Sequence, residues 1–149
     1  MTYDKSQPTT TSLKGINSFE DLEVWQMGKD IVMKIYHLTK DFPKQESFGL
    51  TSQMRESALS VPANIAEGFG RYHYMDKAKF YLNARGSLYE LKSHLLIAQE
   101  LGYFNESLPV STNISKSQSI TSLFNMIDNL SLKLNNLITA TRKLSKGAQ

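Results

Sequence analysis

The sequence contains no cysteine. That excludes a disulfide framework, a thiolate metal site and a cysteine nucleophile, and it agrees with a reducing compartment. Long apolar runs are also missing. The longest is Leu95-Leu96-Ile97-Ala98, far short of the ~20 residues of a membrane-spanning helix. The first 17 residues, MTYDKSQPTTTSLKGIN, have no apolar stretch of the kind a secretory signal needs, so we expect a cytoplasmic protein that does not enter membranes. No segment alternates apolar and polar residues as a half-buried strand does, which argues against a sheet. Excess charge is scarce too. The formal net charge of +3 decides nothing about a partner, although residues 105–149 alone carry +3 and residues 18–42 carry −2.

What is present suits one globular domain. The 149 residues are 40% hydrophobic and 21% charged, enough to bury a core. Residues 1–17 are polar and read as a flexible arm, with residues 18–146 forming the folded unit. Ser18 stands where a helix N-cap is wanted, followed by Glu20, Asp21 and Glu23, whose carboxylates favour the positive helix end. Val24, Met27, Ile31, Ile35, Leu38 and Phe42 then recur at the 3–4 spacing of one helical face, and Pro43 stops the helix. A second helix runs from about Ser47 to Phe69 on Leu50, Met54, Ala58, Val61, Ile65 and Phe69, with Pro62 inside it. A third opens near Asp76 as N-cap and ends at Leu101-Gly102, with Phe80, Ala84, Leu88, Leu91, Leu95 and Ala98 on one face. The small residues Ala84, Gly86 and Ser87 would admit a neighbouring backbone.

The fourth helix starts between Pro109 and Ser117. Its seam, Ile120, Leu123, Ile127, Leu130, Leu134, Leu137, Thr141 and Leu144, steps 3-4-3-4-3-4-3, a heptad pattern with one polar member. Four amphipathic helices with short links pack most simply as an all-α, antiparallel up-and-down four-helix bundle. Phe124, Met126 and Ile138 lie off the seam. They either widen the core face or meet a neighbouring subunit.

Candidate chemistry concentrates in three places. Gln53, Ser57, Ser60, Asn64 and Glu67 step by 4-3-4-3 and make a polar stripe beside the apolar one. It reads as a structural hydrogen-bond seam, with Glu67 paired to an arginine such as Arg85, because a catalytic carboxylate needs a second partner and none is fixed here. His37, His73 and His94 have no ligand spacing, so neither a metal nor a cofactor is expected. Gly68-Phe69-Gly70-Arg71 is not a phosphate loop; it follows a helix and lacks the P-loop lysine. The segment from Arg71 to Tyr81 interleaves Arg71, Lys77 and Lys79 with Tyr72, Tyr74 and Tyr81. Cations that engage phosphate and rings that stack on bases suit looped or single-stranded RNA, and a polar turn at a bundle end is the plainer account. Arg142, Lys143 and Lys146 either extend a basic surface or complement a helix C-terminus.

Several ordered blocks carry a resemblance. Phe19-Glu20-Asp21-Leu22-Glu23-Val24-Trp25-Gln26, Gln53-x-Arg55, Ser60-Val61-Pro62-Ala63-Asn64-Ile65-Ala66-Glu67-Gly68, Ala84-Arg85-Gly86-Ser87-Leu88-x-Glu90-Leu91 and Leu101-Gly102-Tyr103 resemble the four-helix-bundle proteins encoded in 23S rRNA intervening sequences. The likeness covers roughly residues 18–104, and the fourth helix by pattern only. It implies a homopentamer, a ring with a central channel, and no catalytic residues. A related branch serves as accessory protein of diversity-generating retroelements, associated with a reverse transcriptase and nucleic acid. Arg55-Glu56-Ser57-Ala58 stands where that pattern often has Arg-Arg-Ala-Ala, so one positive charge becomes negative.

The expectation is therefore a non-enzymatic homo-oligomer that binds RNA or DNA through Arg71, Lys77, Lys79, Arg142, Lys143 and Lys146, joined by Arg55 and Arg85 from the matching motifs. The alternative is a scaffold or accessory subunit whose partner is a protein. A third class, a hydrolase around Glu67 and a histidine, lacks a fixed second catalytic group.

Overall fold

The computed structural model describes residues 16–104 and 110–147, with side chains of the last helix from Ile120 onward. The expected arm lies outside the described residues except for Ile16 and Asn17, and Ile16 packs against the core. Four helices follow: α1 (Glu23–Thr39), α2 (Leu50–Gly70), α3 (Tyr74–Glu100) and α4 (Val110–Gly147). No strand occurs among the described residues. Successive helices pack against each other, and α1 also meets α4, which closes the bundle.

The apolar stripes face inward as their spacing requires. Ile35, Met54, Ala58, Val61, Ile65, Ala84, Leu88, Leu91, Leu95, Ile127, Leu130 and Leu134 are completely buried. Cross-helix hydrogen bonds give the directions. Arg55 reaches Thr39, Ser60 reaches Ser87, and Arg85 reaches Asn135. A second contact in each pair runs the opposite way along the partner: Gly28 lies against Val61, Lys77 reaches Phe69 and Lys92 reaches Asp128, so neighbouring helices are antiparallel, an up-and-down arrangement.

The helix ends differ from the sequence expectation. Ser18 caps a single 3-10 turn, Phe19–Asp21, through a 3.3 Å bond from the Glu20 amide, and α1 begins only at Glu23. It ends at Thr39, before Phe42 and Pro43, and the Thr39 hydroxyl donates back to the Ile35 carbonyl. Phe42 leaves the helix yet stays in the core against Tyr103 and Phe104. Pro43 instead leads a second 3-10 turn, Lys44–Glu46. Glu46 rather than Ser47 prepares α2, because its carboxylate accepts from the Leu50 amide at 2.8 Å and from the Tyr103 hydroxyl at 3.2 Å. Asp76 is inside the first turn of α3, whose flanking residue is His73. The end of α3 is as expected. Gly102 adopts φ 80°, its amide bonds to Gln99, and that of Tyr103 bonds to Ala98. This is the paired closure that a left-handed residue permits and that glycine adopts without strain.

On α4 the seam is buried from Leu123 to Thr141, whereas Leu144 is exposed. Thr141, the polar member, donates to the Leu137 carbonyl at 2.7 Å. Ile138 is buried, and Phe124 and Met126 pack partly buried against the core, so these three widen the core face. No described helix is long and apolar enough to cross a membrane.

Candidate nucleic-acid interface

The link between α2 and α3 is only Arg71-Tyr72-His73, held extended at Arg71 and His73. Two helices joined so tightly must approach closely at that end, and Gly68 is where they touch. A Cβ there would lie 2.8 Å from the Tyr81 ring and 3.0 Å from the Phe80 Cβ. Tyr81 is buried, and burial pushes its phenol up to about 12. It belongs to the core and cannot stack on a base, which corrects the sequence expectation. Tyr72 (89% exposed) and Tyr74 (39% exposed) remain open.

The cations of this segment divide in two. Lys77 donates to the Phe69 carbonyl at 2.6 Å and lies over the Phe69 ring. It caps the C-terminus of α2, and burial lowers its pKa from the ordinary lysine value. Arg71 sits 4.5 Å over the Phe80 ring and pairs with Glu67 at 2.9 Å, both side chains about half exposed. Lys79 is exposed and makes no hydrogen bond or ion pair among the described residues.

Antiparallel packing brings the end of α4 to the same place. Arg85 meets Asn135 and Lys92 meets Asp128, so seven residues on α3 correspond to seven in the opposite sense on α4. The next step of that register sets Arg142 level with Ala78, and Lys146 lies one turn beyond, level with Tyr74. Asp128, Asn135 and Arg142 share one heptad position. Across the α3–α4 groove the first two have polar partners, while the register puts the small Ala78 at the level of Arg142. Arg142, Lys143 and Lys146 are all exposed, with no ion pair among the described residues. The carboxylates near the turn are Glu67, already paired, and Asp76. Glu20, Asp21 and Glu23 also lie at this end, on the α1 side, where Glu23 pairs with Lys133.

The other two expected cations lie elsewhere. Arg55 donates from Nε to the Thr39 hydroxyl at 2.9 Å and covers the Tyr36 ring, tying α2 to α1. Arg85 is bound to Asn135. Glu67 therefore pairs with Arg71 and not with Arg85. In the polar stripe, Ser60 shares a hydrogen bond with Ser87, Asn64 donates to the Ser60 carbonyl and hydroxyl, and Ser57 bonds back to Gln53 and Met54. Gln53 and Glu67 are exposed at its two ends. Gly86, expected at a close approach, has nothing within 4 Å of a Cβ. His37 and His73 are exposed, and His94 lies 3.4 Å from Glu90.

The model of the 23S rRNA-intervening sequence protein family matches residues 20–136, most of the chain. The chain belongs to that family. The match extends past the expected 18–104 into α4, and no curated protein matches the chain. As a 23S rRNA-intervening sequence protein it carries the Ser60–Gly68 block at the α2–α3 contact, which explains the block physically: Ser60 bonds across to α3, and Gly68 admits the Tyr81 ring. Arg142, Lys143 and Lys146 lie beyond the matched residues, so their role is argued from this chain's geometry. Sequence reading missed that Arg142 continues the Asp128–Asn135 position, although the spacing of seven is visible in the sequence.

Proposed function

We propose that this protein is a non-catalytic homo-oligomer, a pentamer on the family resemblance, that binds structured or looped RNA at the bundle end where the α2–α3 turn meets the end of α4. The observation that carries the reading is that the exposed cations Lys79, Arg142, Lys143 and Lys146 and the exposed rings of Tyr72 and Tyr74 belong to the helix ends that antiparallel packing puts at one end of the bundle. Exposed cations engage phosphates, and exposed rings at the same end offer stacking surfaces to unpaired bases. Arg71 adds to this set when phosphate displaces Glu67. Arg55, Lys77 and Arg85 serve the fold in this reading.

The test is a mobility shift on structured RNA at low salt. The combined variant Arg142→Glu, Lys143→Glu, Lys146→Glu is expected to weaken binding by at least tenfold, and Lys77→Met is expected to bind as the wild type does while losing stability. A wild-type protein that shifts no RNA, or a triple variant that binds undiminished, overturns the proposal.

A second reading, a scaffold or accessory subunit docking a protein such as a reverse transcriptase, is favoured by one observation: an exposed apolar strip on the outer face of α3.

A further inference from the structure

Most bundle helices need one apolar face; α3 has two. Ala84, Leu88, Leu91 and Leu95 are completely buried. On the opposite side Tyr89 (53% exposed), Leu96 (46%), Ile97 (48%) and Leu101 (55%) stand in water. These four, with Lys92, Ser93 and Glu100, line a shallow open depression of about 480 Å³; Lys92 is paired with Asp128, which leaves Glu100 as its unpaired charge among the described residues. A contiguous exposed apolar patch of this kind marks an interaction surface.

The same molecule carries a matching projection. Phe48, at the turn before α2, is 99% exposed, so its ring projects into solvent with no packing partner among the described residues. Cross-links within the fold place it at the same end of the bundle as the depression, since Glu46 bonds to Tyr103, two residues after Leu101. Charge follows the same geometry. Exposed Lys44 precedes Phe48 in the turn, and exposed Glu100 borders the depression.

We infer that Phe48 of one copy inserts into the α3 depression of the next, with Lys44 facing Glu100. A projection and a recess on different elements of one chain cannot satisfy each other within a symmetric two-fold pair unless both contacts form at once. They naturally give head-to-tail contacts, which close into a ring or extend as a filament. The inference rests on the oligomer proposed above and names its contact; it is independent of RNA binding.

Because the chain has no cysteine, the contact can be tested by mixed oxidation. Full-length Phe48→Cys and Ile97→Cys proteins, mixed in equal amounts, are expected to form a disulfide-linked dimer that neither gives alone. Phe48→Asp is expected to raise the concentration for half-assembly by about 30-fold or more, as loss of a buried aromatic anchor does, measured as native mass by light scattering. Phe48 packs against nothing among the described residues of its own copy, so helicity and melting of the dissociated chain should be unchanged. A wild-type oligomer whose mass Phe48→Asp leaves intact, or whose mixed cysteines fail to link, overturns this contact and spares the oligomer. A wild type that is monomeric at all concentrations removes both. RNA binding that survives dissociation shows the two proposals to be separate.

Discussion

Tyr81 illustrates how one residue changes meaning between sequence and fold. Among Arg71, Tyr72, Tyr74, Lys77 and Lys79 it reads as part of a stacking platform, yet it lies in the core under Gly68. The three-residue link between α2 and α3 turns that part of α3 inward, and nothing in residue type announces it. Burial favours its neutral phenol, which has a measurable consequence. The unfolded chain loses this proton near pH 10 and the folded chain near 12. The folded state therefore binds more protons between those values, and stability falls as pH rises through that window. The full contribution, about 2–3 kcal/mol for a shift of this size, is present below pH 10. Tyr103 adds in the same direction, raised by partial burial and by the Glu46 carboxylate. Urea titrations at pH 9 and pH 11 should show the loss, and Tyr81→Phe should reduce it. Equal stability of the wild type at both pH values would contradict the assignment. Lys77 makes the same point about legibility. Its charge was visible in the sequence, but its partners, the carbonyls at the end of the preceding helix, depend on how tight the turn is.

At the scale of elements, the apolar periodicities were legible because each stripe is a consequence of burial on one face, and Ile31, Ile35, Met54, Ile65, Leu88 and Leu134 sit where spacing puts them. Helix ends were less legible because competing local structures decide them. Ser18 caps a 3-10 turn, Thr39 bonds back along α1, and Glu46 caps α2 from four residues before Leu50. The approach of α2 to α3 was half legible: the glycine was there to read, but not what it touches. Gly68→Ala would force its methyl into Tyr81 and Phe80, rigid neighbours fixed by their own packing. Overpacking of that kind costs about 1–3 kcal/mol, against a helix-propensity gain of up to ~1 kcal/mol. The net expectation is a lower midpoint of urea unfolding. A midpoint equal to or above wild type would mean that the two helices are not held so close.

For the whole molecule, the candidate site was only partly legible. Four of the eight expected cations, Lys79, Arg142, Lys143 and Lys146, stand free of ion pairs among the described residues at one end of the bundle, and Arg71 joins them there while bound to Glu67. Arg55, Lys77 and Arg85 are held inside the fold by contacts between elements, which a single sequence does not reveal. The central claim is that the attraction is electrostatic and local to that end. Its most direct measure is the slope of log binding constant against log salt for structured RNA, compared between the wild type and Arg142→Gln, Lys143→Gln, Lys146→Gln. Each lost phosphate contact should flatten the slope by roughly 0.7–0.9, so a flattening of about two to three is expected with little change in the fold. An identical slope in the two proteins would contradict the account.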